Sequence, residues 1–428
     1  MIYTSTNNKK ELVDFKTATL NGLASNNGLY VPTHIPILDD KLLEAEAFNL
    51  DIALELMKPF VGECIPEEKL KEILSETLNF ELPLVKLEPN TYCLELFHGP
   101  TEAFKDVGAR FMSRVLAYFS KSSNETNHIL VATSGDTGAA VANGFHNVPG
   151  TQVHVLFPKG KVSEYQESQM TSLGDNIHAL EVEGVFDDCQ TLVKQAFRDN
   201  DLRSKLKLSS ANSINVARFL PQMLYYFKAF FDIKRDFRSS ICFVVPSGNF
   251  GNVTAGLIAQ MMGLPIRRLI PITNANDTYF KYLSTGKYQA VPSKQTLSNA
   301  MDVGDPSNFA RIQYLLKQDW NKINEMLPSI SVSDKDTLST IDKLYKEAGY
   351  VLDPHAAVGY YGYQQLKQEG ELAIILGTAS PKKFASVIQQ VIPTYESPNV
   401  NALSTHKISL PNDYHALLDY LSTIMVSK

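Results

Sequence analysis

The chain has few cysteines, and their positions cannot carry a fold. Cys64, Cys93, Cys189 and Cys242 are scattered over 428 residues without a CxxC pair, which excludes a disulfide framework or zinc ribbon and leaves reduced thiols as the expectation. The nine histidines include no HExxH spacing, so no catalytic metal is expected. There is no GxSxG elbow, no Gly-Lys-Ser/Thr P-loop and no GxGxxG fingerprint, so serine-hydrolase chemistry and nucleotide binding have no motif behind them. No apolar run approaches bilayer-spanning length, and the first ten residues lack an apolar signal core; a cytoplasmic protein with no membrane partner is expected. Basic excess is missing too. A formal net charge of −6 and a pI near 5.9 argue against nucleic acid, while leaving room for a local basic pocket that takes a phosphorylated small molecule. The chain has no internal repeat, low-complexity tract or long linker.

The residues that are present describe a globular chain, 44% hydrophobic and 20% charged, long enough for two or three packed units. Residues 1–88 are mixed, with a turn-rich entry and helix-like patterns near residues 53–57 and 70–74, and are expected to form an N-terminal helical subdomain. From 89 to 394 strand and helix patterns alternate. An apolar run at 129–132, the turn Thr133-Ser134-Gly135-Asp136-Thr137-Gly138, a small-residue helix and a second run at 153–157 spell a βαβ unit. Alternation at 177–182 is followed by Phe186, Cys189, Leu192, Val193, Ala196 and Phe197 at one-face helical spacing. A second series runs from 241–246 through Ser247-Gly248-Asn249-Phe250-Gly251-Asn252 into a helix, and a last run at 372–376 ends in Gly377-Thr378-Ala379-Ser380-Pro381. Runs that are apolar on both faces predict parallel strands covered by helices, an α/β fold with its ligand site beyond the carboxyl ends of the strands. The three polar turns should converge there. Residues 395–428 read as a C-terminal extension with a helix near 413–424.

Candidate chemistry begins at Lys105. It follows an apolar run, the turn signal His98-Gly99-Pro100 and Thr101, which places it near a helix start and facing inward. Loss of hydration would lower its pKa and let it form a Schiff base with an aldehyde; a lysine snorkelling from a first helical turn is the plainer alternative. The 247–252 turn follows a strand and opens a helix, the context in which backbone N–H groups hold a phosphate, though such turns also occur without a ligand. Asp136 either serves the site or caps the next helix. Asn212, Ser213 and Arg218 offer donors suited to a phosphate monoester. His98 and His355 stand beside turns, where a lone histidine is usually structural.

Together these strings resemble the threonine synthase family, bacterial and fungal form, within the pyridoxal-phosphate enzymes of fold type II. Its carriers are Glu95 to Thr101 with Ala103 to Asp106, Ala132 to Ala140, Ser210 to Asn215, Val245 to Gly251 and Leu297 to Val303, with residues 27–32 as the family's entry segment. The resemblance covers nearly the whole chain. It implies two doubly wound α/β domains with an N-terminal helical subdomain, the smaller domain inserted at about 106–225. It makes Lys105 the lysine that binds the pyridoxal 5'-phosphate aldehyde, and Gly248, Asn249, Phe250 and Asn252 the cradle of the cofactor phosphate. Thr378 falls beside the pyridine nitrogen and Asp136 beside the cofactor. Ser134, Thr137, Asn212, Ser213 and Arg218 fall at the substrate, with Arg218 against its phosphate. Where the family has His, this chain has Ser380, a change one contact beyond the ring that leaves Thr378 in place. The implied reaction converts O-phospho-L-homoserine and water to L-threonine and phosphate in a monomer or homodimer. Rival expectations are another fold type II lyase or dehydratase acting on a phosphorylated amino acid, and a non-catalytic binder of a phosphorylated metabolite.

Overall fold

The structure, a computed structural model, describes residues 1–121, 126–399 and 406–426. Strands β1 (Ile2–Ser5), β2 (Asn8–Asp14) and β3 (Tyr30–Pro32) form a small antiparallel sheet in the order β2-β1-β3. Sequence periodicity did not foretell this sheet, because β2 is almost wholly exposed and has no buried face to impose alternation. Helices Leu50–Val61 and Glu67–Thr77 then supply the expected helical part.

Strands β4 (Leu84–Glu88) and β5 (Thr91–Glu95) open the first of two five-stranded sheets. The chain leaves it for β6 (Asn127–Ala132), β7 (Thr151–Pro158), β8 (Ile177–Val182) and β9 (Lys207–Ser210), then returns with β10 (Ile241–Pro246), β11 (Arg268–Ile272) and β12 (Leu372–Gly377). The first five-stranded sheet is ordered β11-β10-β12-β5-β4, parallel except for β4. β10 and β12 are buried at every residue, which is why they carry no polar alternation. The other five-stranded sheet, with β13 (Lys407–Leu410) at one edge, is ordered β13-β8-β7-β6-β9 and is all parallel. Its edge strand β13 comes from the segment expected to be a mere extension. Together with helix Tyr414–Val426, whose Leu417 and Leu421 join the core under β6 to β8, this segment completes the smaller domain.

Helix packing sets the site's position. Helix Lys105–Ser120 buries Val107, Phe111, Val115 and Phe119, four residues apart on one face. Helix Pro354–Leu366 starts on Asp353, whose carboxylate accepts from the N–H of His355 with proline in the first turn. Gly359 and Gly362 bring it against Pro246 and Ile272, at the carboxyl ends of β10 and β11.

Candidate active site

At the end of β10 the chain turns through Ser247 and Gly248. A Cβ on Gly248 would lie 2.7 Å from Met301 Cα, so only glycine fits. Phe250 adopts a left-handed φ of 61° as the N-cap of helix Gly251–Met261. First-turn N–H groups have no acceptor within a helix, and the helix dipole adds partial positive charge there. Asn252 reinforces the polarity. Its Oδ1 accepts from Tyr226 OH at 2.7 Å, while its Nδ2 is buried without a partner.

Lys105 is the first residue of its helix. The carbonyl of Lys105 accepts from Arg218 Nη1 at 2.7 Å, the Phe104 carbonyl accepts from Tyr225 OH, and Phe104 N–H donates to the Thr378 carbonyl at 2.9 Å. This clamps the lysine to the end of β12. Its side chain is half-buried and opens into a cavity of about 460 Å³. Desolvation brings its pKa from 10.5 down to about 8; Asp136 pulls it up, while Lys383 and Arg218 push it down.

Asp136 is buried and accepts from Lys383 Nζ at 2.7 Å and Gln166 Nε2 at 2.9 Å. Burial alone would raise its pKa, but Lys383 and Lys105 outweigh that and hold it well below the usual carboxylate range. Capping of helix Asp136–Phe145 falls instead to Thr133, whose Oγ1 accepts from Gly135 and Gly138 N–H at 2.9 and 2.8 Å. The Asp136 carboxylate therefore does not cap the helix, and its residue lines the cavity.

The twelve residues that the resemblance assigns to cofactor and substrate all line this one cavity: Lys105, Ser134, Asp136, Thr137, Asn212, Ser213, Arg218, Gly248, Asn249, Phe250, Asn252 and Thr378. Two of the sequence candidates differ in detail from expectation. Arg218 commits Nε to the Ala211 carbonyl at 2.8 Å and Nη1 to that of Lys105, so part of its guanidinium braces backbone; burial lowers its pKa to about 10. His98, of interest for its nearness to Lys105 in sequence, pairs with Glu95 at 2.6 Å in a separate cleft. Ser380 Oγ accepts from Lys382 N–H at 3.4 Å.

Sequence reasoning missed Lys383 and the cavity face of helix Phe186–Arg198, which presents Phe186, Gln190 and Lys194, and it read His355, which also lines the cavity, as structural. In sequence Lys383 is one of two adjacent lysines, which reads as solvated charge; it is in fact 1% exposed. His355 Nδ1 pairs with Asp353 at 2.7 Å and its Nε2 accepts from Ala300 N–H at 3.2 Å. Among the described residues no three His, Cys, Asp or Glu side chains gather as metal ligands.

These residues fit pyridoxal phosphate. The fit rests on a lysine of lowered pKa, a glycine turn closed to any Cβ, and the orphaned Asn252 amide at the mouth of an anion-binding helix turn.

Two family models match. Residues 77–375 match "Pyridoxal-phosphate dependent enzyme" and residues 2–78 match "Threonine synthase N terminus". The chain is 42% identical to threonine synthase of Serratia marcescens, over 95% of this chain and 94% of that one. It is 41% identical to threonine synthase of Escherichia coli strain K12, over 95% and 96%. The crystal structure of the Escherichia coli threonine synthase superposes with a TM-score of 0.92 at 38% identity, covering 99% of this chain and 100% of that one. The pyridoxal-phosphate-bound threonine synthase of Brucella melitensis gives 0.91 at 34%, covering 99% of each.

Proposed function

The chain belongs to the threonine synthase family of pyridoxal-phosphate-dependent enzymes, and from that premise we propose that its cavity takes O-phospho-L-homoserine and water to L-threonine and phosphate, with Lys105 binding the cofactor and moving the protons. The threonine synthase activity follows from the family; the substrate and the residue roles are our reading. Bound pyridoxal phosphate supplies an electron sink for charge that develops at substrate carbon. Gly248, Asn249, Phe250 and Asn252 would hold its phosphate, with Thr378 at its ring nitrogen and Asp136 alongside.

The protein's own groups do the rest. An amine with a pKa of about 8 is unprotonated in roughly one molecule in ten at neutral pH, against fewer than about one in a thousand for an ordinary lysine. Lys105 can therefore take a proton from substrate Cα and, once it has passed that proton on and is an amine again, a second from Cβ. Ser134, Thr137 and Asn212 offer hydroxyl and amide donors to the substrate. Ser213, with the donors of Arg218 not committed to backbone, faces the leaving phosphate, where preorganised donors act on charge as it develops. A cytoplasmic monomer or homodimer completes the reading; the free thiols Cys64, Cys93, Cys189 and Cys242 suit a reducing compartment.

One observation carries this proposal: the Lys105 amine of lowered pKa and the Gly248 turn line a single cavity. Borohydride reduction followed by peptide mapping should find the cofactor on Lys105. Phosphate release should be seen with O-phosphohomoserine and not with O-phosphoserine. Labelling of another lysine, or no phosphate release from O-phosphohomoserine, refutes it.

A further inference from the structure

We infer that Asn308 and Arg311 are positioning residues that make the Ser213 hydroxyl an obligate hydrogen-bond donor to a phosphate dianion in the cavity. The inference rests on the reading of Ser213 as a phosphate ligand and adds what fixes its polarity. Ser213 Oγ accepts from two amides, Asn249 Nδ2 at 2.9 Å and Asn308 Nδ2 at 3.0 Å. A hydroxyl has two acceptor sites and one donor, so with both acceptor sites filled its proton must point elsewhere.

Neither amide is free to turn over. Asn249 Oδ1 accepts the Ser307 N–H at 2.6 Å. Asn308 Oδ1 accepts from Arg311 Nη1 at 2.5 Å while its Nδ2 also donates to the Asn249 carbonyl at 3.1 Å. Reversing either would set an NH₂ group against another donor. Arg311 is itself immobile. It is fully buried, stacks 4.1 Å from the Phe219 ring centroid, and donates to the carbonyls of Tyr30, Ser213 and Ile214 at 2.9, 2.9 and 2.5 Å. One cation thus fixes both the Ser213 backbone and the amide that polarises its side chain.

The hydroxyl stands at the anion turn: a Cβ on Gly251, the first residue of that helix, would lie 3.4 Å from Ser213 Oγ. A donor locked in this way favours a ligand that only accepts. A phosphate dianion gives it a charge-assisted bond, whereas a free alcohol would have to accept there and place its own proton elsewhere.

The test uses the holoenzyme, with inorganic phosphate titrated as an inhibitor of turnover and cofactor dissociation followed separately by loss of the visible band. Ser213→Ala and Asn308→Asp should each weaken phosphate about 10-fold, the scale of one charge-assisted bond, because a carboxylate at 308 accepts the hydroxyl proton and turns it from the cavity. Ser213→Thr, which keeps the hydroxyl, should stay within about twofold, and the Ser213→Ala/Asn308→Asp double variant should be no weaker than either single one. The same non-additive pattern in cofactor dissociation instead would support the inference with the cofactor's phosphate as the anion. If the two effects multiply, the aspartate acts through its own charge and the inference fails. It fails too if Asn308→Asp binds phosphate as wild type does while Ser213→Ala does not. No effect of Ser213→Ala on either anion would overturn the reading of Ser213 itself. Should a buried aspartate prevent folding, the uncharged Asn308→Leu gives the same contrast: a several-fold loss, absent in the Ser213→Ala background.

Discussion

Replacing Lys105 by Met should abolish Schiff-base formation and make the cofactor-free protein more stable. A fall in pKa from 10.5 to about 8 means that the folded state disfavours the ammonium by about 3 kcal/mol relative to the unfolded chain. That is an upper figure, since the amine faces a cavity that admits water. The sign follows from the depressed folded pKa of a base: below about pH 8 the amine is protonated in both states and the whole penalty is present. As pH rises from 8 towards 10.5 the folded form sheds its proton first, and the penalty disappears. Methionine, close in length and uncharged, carries no such penalty, and Asp136 keeps its partner Lys383 at 2.7 Å. Thermal melts of the apo forms should therefore favour Lys105→Met by up to about 3 kcal/mol at pH 7 and by about 1 kcal/mol at pH 9.5. An equal or lower melting temperature for the variant at pH 7, with a gap that does not change with pH, would refute the claim that Lys105 is held against its hydration.

Gly248→Ala should weaken cofactor retention about 10-fold or more, because its Cβ must displace the Met301 backbone from 2.7 Å; visible absorbance after dialysis reads this directly, and wild-type retention would contradict it. Lys383→Met leaves the Asp136 carboxylate buried without its nearest cation and should cost about 3–5 kcal/mol. With Lys383 gone burial raises the Asp136 pKa, so the carboxyl takes up a proton on acidification and the deficit in melting temperature should narrow from pH 8 to pH 5; a constant deficit would place the effect elsewhere. Asp187→Ala removes the bonds by which a carboxylate of the smaller domain accepts from Ser293 N–H and Oγ at 3.3 and 2.9 Å. It should raise KM about 3- to 10-fold, the worth of one hydrogen bond or two; an unchanged KM would mean that this rim contact does not help to close the cavity.

What the sequence made legible was whatever repeats along the chain. β10 and β12 could be read because a strand buried on both faces is apolar at each position, and the turns after β6, β10 and β12 because glycine and hydroxyl residues end those runs together. β1 to β3 went unread: β2 exposes most of its residues, and β3 has three, too few for any period. β13 was hidden for another reason, since its place beside β8 is fixed by a partner 228 residues earlier. The site divides along the same line. Lys105 and the Gly248 turn announce themselves by local context, but the burial of Lys383, and the roles of Asn308 and Arg311, exist only after distant segments meet. Arg311 alone joins residues 281 and 98 positions away.

Overall charge and site charge point in opposite directions, and the physics of burial explains why. A net charge of −6 counts groups that water already screens, so it says little about a cavity in which a few groups have lost their hydration. There, Lys105, Arg218 and Lys383 stand against Asp136, and burial pushes the pKa of both Lys105 and Arg218 below ordinary values. Each lowered pKa marks a cation that the fold holds at a loss, and a dianion arriving beside them recovers part of it. The ligand that relieves the most strain is therefore a phosphate, and inorganic phosphate alone should raise the melting temperature of the apo protein as its concentration passes the dissociation constant. Chloride at equal ionic strength should not do so, because it screens without accepting the directed donors of Ser213 and the Gly251 helix turn. If chloride stabilised as well as phosphate, the cavity would be merely positive, and its arrangement of donors would explain nothing.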